Sequence, residues 1–282
     1  MKSSCLIGLI GSGITTSLSP ALHESEALHH GLPYVYRLLD TDVLGEDVGR
    51  LVATARAMGY DGLNITHPCK QAVIAHLDEL SDDAARLGAV NTVVFDGARA
   101  VGHNTDWTGF AESFARGLPG APVRRVVQLG AGGAGAAIAH ALLTLGADRL
   151  TVVDVEPERA AALADELAVR FGAERAGRGT RDDLPGLLAE ADGLANATPV
   201  GMAHHPGMPL AAELLHPELW VADIVYRPLE TELLRQARAR GCRTLDGGGM
   251  AVFQAAHAFR LFTGRTPDAE RMLKHLKELA HA

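Results

Sequence analysis

Gln128-Leu129-Gly130-Ala131-Gly132-Gly133-Ala134-Gly135 is the stretch on which the fold turns. It contains G-x-G-x-x-G, follows the β-branched run Arg125 to Leu129, and opens a helical run from Ala134 to Leu145. A further strand, Leu150 to Val153, comes next and ends at Asp154. Strand, glycine-rich turn, helix and strand in that order form the context in which this motif holds a dinucleotide. The first glycine permits the tight turn, the second lets backbone approach a pyrophosphate, and the third lets the helix pack on the strand. Amides at the helix start face the diphosphate, where the dipole favours negative charge. The expected cofactor contacts are therefore Gly130, Ala131, Gly132, Gly133, Ala134 and Gly135.

Asp154 points to NAD as the cofactor. A carboxylate at this strand end accepts hydrogen bonds from the adenosine ribose hydroxyls, whereas an NADP 2′-phosphate would face it at close range. Like charges about 4 Å apart repel by about 4 kcal/mol at an effective dielectric near 20. Glu156 adds to the repulsion, and Arg159 is expected on the exposed face of the next helix.

Strands and helices alternate on both sides of the motif, as in α/β folds with parallel sheets. Upstream, strands are expected over Cys5 to Gly11, Val35 to Leu39 and Leu63 to Thr66. A helix opens at Ser19-Pro20 with Ser19 as its cap, and one helix-like run covers Leu44 to Met58. Asn91 to Gly102 reads as a hairpin turning at Asp96-Gly97. A Pro/Gly cluster, Gly117 to Pro122, marks a break before the glycine motif. Downstream, strands are expected over Gly193 to Ala197 and Val221 to Val225, then helices from Gly248 and from about Asp268.

The 282 residues suffice for two domains. A hydrophobic content of 47% and a charged content of 21% are ordinary for a soluble globular chain. The net charge of -8, with no Lys/Arg cluster, argues against nucleic acid as a partner. Cys5, Cys69 and Cys242 are scattered and follow no metal spacing, which suits a reducing cytoplasm and no metal site. The apolar run Cys5 to Ile10 is short and broken by glycine, so it reads as a buried strand rather than a signal segment. No stretch approaches the roughly 20 apolar residues of a membrane span.

The glycine motif does no chemistry, so reacting groups are sought in the N-terminal half. Leu63 to Lys70 ends a strand in a polar turn, with Lys70 at the head of a helix. His103 to Gly109 is a second polar cluster and contains Asp106. A helix start disfavours the charged form of a lysine, and a neighbouring carboxylate orients it. Such a pair exchanges a proton with a substrate hydroxyl as hydride moves. On spacing alone, a surface lysine and a capping aspartate remain an equal alternative. His67, His103, His29-His30 and His204-His205 have neither triad nor metal spacing and read as ordinary turn or helix-end histidines.

At these residues the chain resembles the shikimate/quinate dehydrogenase family over nearly its whole length. The resemblance rests on Ser17-Leu18-Ser19-Pro20, Asn64-Ile65-Thr66-His67-Pro68-Cys69-Lys70, Gly88-Ala89-Val90-Asn91-Thr92 and Asn104-Thr105-Asp106. It continues through Asn196-Ala197-Thr198-Pro199, Asp223 to Pro228 with Tyr226, and Asp246-Gly247 followed by Gln254. It implies Lys70 and Asp106 as the catalytic pair, and substrate contacts from Ser17, Ser19, Thr66, Asn91, Tyr226 and Gln254. Thr198 and Gly247 join the implied cofactor contacts.

The implied architecture is α/β in two domains, with the active site in the cleft. Residues 1–106 and 247–282 form a substrate domain completed by C-terminal helices, and 107–246 form a Rossmann-type NAD domain. The implied partner is a small ring acid, and the chain is expected as a monomer or homodimer. Asp154, Val155 and Glu156 stand where NADP-using members carry Asn-Arg-Thr/Ser, which resembles the NAD-using quinate/shikimate branch. Serine rather than threonine at Ser19 favours shikimate as the first substrate. A dehydrogenase of an amino-substituted ring and a non-catalytic dinucleotide and ring-acid sensor remain the rival readings.

Overall fold

A computed structural model describes residues 3–281. The chain divides into two compact units, Met1–Asp106 with Val252–Ala282, and Trp107–Ala251.

The first unit is built on a six-stranded mixed sheet of order β2-β1-β3-β5-β6-β4. Its strands are β1 (Cys5–Gly11), β2 (Tyr34–Asp40), β3 (Gly62–Ile65), β4 (Glu79–Leu80), β5 (Thr92–Asp96) and β6 (Arg99–His103). β1 runs parallel to β2 and β3, and the β5–β6 hairpin adds antiparallel strands. Helices α1 (Ser19–His29), α2 (Thr41–Leu44), α3 (Val48–Ala57), α4 (Cys69–Ala72) and α5 (Asp82–Leu87) connect them. Alternation along β1 and β3 sends Ile10, Leu63 and Ile65 into one core with Val48, Leu51 and Val52 of α3. Cys5, Ile7 and Leu9 join a second core, which Phe259 and Phe262 complete. Those phenylalanines belong to α11 (Gly247–Thr263), so a C-terminal helix supplies part of this unit's core; α12 (Ala269–His281) follows it.

The second unit has a six-stranded, wholly parallel sheet of order β12-β11-β10-β7-β8-β9. Its strands are β7 (Arg125–Leu129), β8 (Arg149–Val153), β9 (Ala176–Gly179), β10 (Gly193–Asn196), β11 (Trp220–Asp223) and β12 (Arg243–Leu245). Its helices are α6 (Asp106–Gly117, which begins at the last residue of the first unit), α7 (Gly133–Thr144), α8 (Pro157–Phe171), α9 (Leu184–Ala189) and α10 (Glu232–Ala239). Both faces are apolar, as a sheet covered by helices on each side requires. Val126, Leu150 and Val152 pack with Ile138, Leu142 and Trp220 on one face. Val127, Leu129 and Val153 pack with Leu184, Leu233 and Leu234 on the other. The strand order reverses between β7 and β10, which makes the ends of these two strands the ligand-binding position of such a sheet.

Three local expectations are corrected. The helix expected over Leu44 to Met58 is α3 alone, Val48–Ala57, because Gly45 ends α2 just after Leu44 in a left-handed conformation and Asp47 caps α3. Ser19 lies within the first turn of α1, and no side chain caps that helix. Lys70 heads only the four-residue α4, followed by a short 3₁₀ turn, so little helix dipole acts on it.

Candidate active site

Lys70, Asn91 and Asp106 meet in one hydrogen-bonded network. Lys70 Nζ donates to Asp106 Oδ2 at 2.6 Å. Asn91 Nδ2 donates to the other oxygen, Oδ1, at 2.9 Å and to Thr105 Oγ1 at 2.9 Å. The Thr105 amide returns a bond to Asn91 Oδ1 at 2.8 Å, and Thr105 Oγ1 donates to the Gln254 carbonyl at 3.0 Å. Asn104 Oδ1 accepts the Asp106 amide at 3.0 Å. The main chain of Lys70 is pinned as well, since its carbonyl accepts the Val90 amide at 2.8 Å. Lys70, Asn91, Asn104 and Thr105 are all hydrogen-bonded around Asp106, so the carboxylate is held before any substrate arrives.

A second layer lies beneath, which the sequence reading left without a role. Asn64 Nδ2 donates to the Asn91 carbonyl at 3.3 Å and to Thr92 Oγ1 at 3.1 Å, while its Oδ1 accepts the Tyr36 hydroxyl at 2.8 Å. The one available signal was a residue with a polar group at a strand position, Tyr36 in the partly exposed β2 and Asn64 in the buried β3.

Ser17 and Ser19 form a separate half-buried pair, with their hydroxyls 3.3 Å apart. Their loop is organised by Asp40, whose carboxylate accepts the amides of Ile14 at 2.8 Å, Asp42 at 3.0 Å and Gly13 at 3.3 Å. Burial pushes the Asp40 carboxyl up, but these backbone donors outweigh it and leave its pKa below the usual value. Thr66 is half-buried where the chain segments 10–12 and 66–67 are clipped by Thr66 N to Ile10 O and Ser12 N to His67 O. His103 is kept neutral more readily than usual by burial.

In the second unit the turns after β7 and β10 touch. Gly130 has φ +98°, and a Cβ there would come within 2.8 Å of the Ala197 carbonyl group and 3.1 Å of Thr198. A Cβ on Gly135 would lie 2.4 Å from the Gly130 carbonyl oxygen. By contrast a Cβ on Gly132 meets nothing within 4 Å, so the outer side of the turn is open. No side chain caps α7, which leaves the amides of its first turn, Gly133, Ala134 and Gly135, without intrahelical acceptors. Open space beside unsatisfied amides suits a diphosphate. The Ala131 amide is aimed elsewhere, to Asp154 Oδ2 at 2.7 Å, and Asp154 Oδ1 accepts the Glu156 amide at 2.9 Å. Arg159 is exposed and ion-paired with Glu156 at 3.0 Å. Tyr226 follows β11 in this unit, half-buried, with its phenol pKa raised by burial. Gly247 packs on the main chain just before it, since a Cβ at that position would lie 2.3 Å from the Ile224 carbonyl oxygen.

A cavity of about 680 Å³ lies away from this turn, at the starting ends of β7 and β8, beside Arg125, Arg149 and Arg178. Those guanidinium groups are engaged by Glu190, the Glu174 carbonyl and Asp165, and the cavity holds none of the predicted site residues. Among the described residues, no cluster of metal-binding side chains occurs and no helix is long and apolar enough to cross a membrane.

Residues 9–93 match the shikimate dehydrogenase substrate binding domain, and residues 247–277 match the shikimate 5′-dehydrogenase C-terminal domain. Residues 126–214 match the saccharopine dehydrogenase NADP binding domain. A shikimate dehydrogenase (NADP(+)) of Streptomyces avermitilis is 70% identical, over 99% of this chain and 97% of that one. A quinate/shikimate dehydrogenase (NAD(+)) of Corynebacterium efficiens is 51% identical, over 95% of this chain and 96% of its own. The solved quinate dehydrogenase of Corynebacterium glutamicum in complex with NAD superposes with a TM-score of 0.93 at 48% identity, covering 98% of this chain and 100% of that one. The chain belongs to the shikimate/quinate dehydrogenase family, whose members are oxidoreductases acting on a secondary alcohol.

Proposed function

We propose that the chain interconverts shikimate and 3-dehydroshikimate, and also takes quinate, with NAD as its cofactor. The observation that carries this reading is the Lys70–Asp106 pair, 2.6 Å apart and held on its far side by Asn91. A bound nicotinamide would supply the hydride acceptor for the carbinol carbon. The Lys70 amine takes the hydroxyl proton as that hydride leaves, and Asp106 orients both the amine and the hydroxyl. In the reverse direction the Lys70 ammonium, already bonded to Asp106, returns the proton to the developing alkoxide. Positioned proton transfer of this kind contributes about 10²- to 10⁴-fold.

Ser17 and Ser19 receive the ring carboxylate, Thr66, Tyr226 and Gln254 contact the ring hydroxyls, and Asn91 serves the substrate side by holding Asp106. Gly132, Gly133 and Ala134 line the diphosphate, with Gly130, Gly135, Thr198 and Gly247 shaping the turns around it. Asp154 supports NAD because its carboxylate is fixed at the strand end by two amides. Glu156 engages Arg159, the nearest arginine in sequence that would otherwise serve a 2′-phosphate. The Streptomyces relative carries NADP in its name and the Corynebacterium relatives carry NAD, so the cofactor is the point to measure. Initial rates with shikimate, quinate and aminoshikimate, each with NAD and NADP, test the reading. Shikimate with NAD is expected to give the highest kcat/KM. A clear preference for NADP overturns the cofactor assignment, and a preference for aminoshikimate overturns the substrate assignment.

A further inference from the structure

Gln128 is a fully buried amide in β7, set between Val127 and Leu129. Its Nε2 donates to the Gly130 carbonyl at 2.8 Å and to the Gly135 carbonyl at 2.9 Å, which uses both N–H groups. The reversed amide would set its oxygen against two carbonyl oxygens, so the orientation follows from chemistry. Its Oε1 has no partner among the described residues. An unpaired buried acceptor costs stability that an aliphatic residue would not. The two bonds to the glycine turn are what an aliphatic residue cannot replace.

The peptide joining Gly130 to Ala131 is held on both sides. Its carbonyl accepts from Gln128, and its N–H, on the opposite edge of the same plane, donates to Asp154 Oδ2 at 2.7 Å. We infer that Gln128 is a positioning residue of the nucleotide site: it fixes this peptide plane, and through it both the glycine turn and the Asp154 carboxylate. The inference rests on the dinucleotide reading above. Gln128 touches no ligand itself and acts on the diphosphate-binding turn and the ribose-binding carboxylate together.

Competitive inhibition by ADP against NAD tests it in a double-mutant cycle. Gln128→Met keeps the volume and removes both donors; its inhibition constant for ADP is expected to rise about tenfold. The KM for shikimate at saturating NAD is expected to stay within twofold. Asp154→Ala weakens ADP as well, and the double variant is expected to lose less than the product of the two single effects, because both residues act on one peptide. Should Gln128→Met not fold, Gln128→Leu, which also lacks both donors, carries the same cycle. An ADP constant within twofold of wild type, or fully multiplicative effects, overturns the inference. A wild-type protein that ADP does not inhibit defeats the nucleotide reading itself, a separate result.

Discussion

Lys70 Nζ stands 2.6 Å from Asp106 Oδ2, with the lysine side chain 17% exposed and the aspartate 6%. At that depth the pair differs from the exposed ion pairs elsewhere on the chain, which contribute little. Removing one partner leaves the other charge poorly compensated. A stability cycle over Lys70→Met and Asp106→Leu should give a coupling energy above about 1 kcal/mol by denaturant unfolding. A coupling near zero would mean that the two groups do not depend on each other.

Asn91 separates orientation from substrate binding. Both of its amide hydrogens are spent inside the network, one on Asp106 and one on Thr105. Asn91→Ala therefore removes a hydrogen bond to a charged group, worth about 1.5–3 kcal/mol. We expect kcat to fall by roughly 10- to 100-fold, with a smaller change in KM. A large rise in KM at unchanged kcat would instead make Asn91 purely a substrate ligand.

Tyr36 is the remote end of the same network. Tyr36→Phe deletes the bond to Asn64 Oδ1 and leaves a buried acceptor, so it should cost about 1–3 kcal/mol of stability. Thermal unfolding and kcat measured together check this. Unchanged stability would mean that Asn64 finds another donor.

Asp154, just after β8, is expected to set the cofactor preference. Asp154→Ala should raise the KM for NAD by about tenfold or more, the worth of a hydrogen bond to a charged acceptor. Rates with NADP should rise relative to those with NAD, because the repulsive carboxylate is gone. Paired kcat/KM values for the two cofactors supply the test, and an unchanged ratio would count against Asp154 as the discriminating group.

His23 predicts an acid-side loss of stability. It is enclosed by Tyr34, Tyr36, Phe259 and Phe262, and burial lowers its pKa to about 3. Between about pH 6.5 and 3 the unfolded chain binds a proton at this site that the native chain does not. Stability therefore falls as pH drops through that window, by up to roughly 4 kcal/mol from this one group. Glu26, held low by Arg271 and the Asp268 amide against the opposing effect of burial, adds a loss in the same direction at lower pH. Urea unfolding from pH 7 to pH 4 should show the slope, and His23→Gln should flatten it.

The glycine motif was legible because its three glycines answer to geometry that one local segment must satisfy. β7 matches the expected run residue for residue, and the parallel order of its sheet follows from the alternation of strands and helices. β9 and β12 were missed: Ala176–Gly179 and Arg243–Leu245 are short edge strands without an apolar pattern. The Lys70–Asp106 contact was not legible from spacing, since 36 residues separate the two and only the β3, β5 and β6 pairings bring them together. Asn64 and Gln128 stand out in the sequence as polar residues in apolar strands, but their partners are not legible until the fold supplies them.

Lys70→Ala, followed by NADH formation from shikimate and NAD together with the Kd for NAD, is the most direct measurement of the proton-exchanging role of Lys70. The prediction is a loss of about 10²- to 10⁴-fold in kcat with NAD affinity within twofold of wild type. Turnover equal to wild type would contradict it.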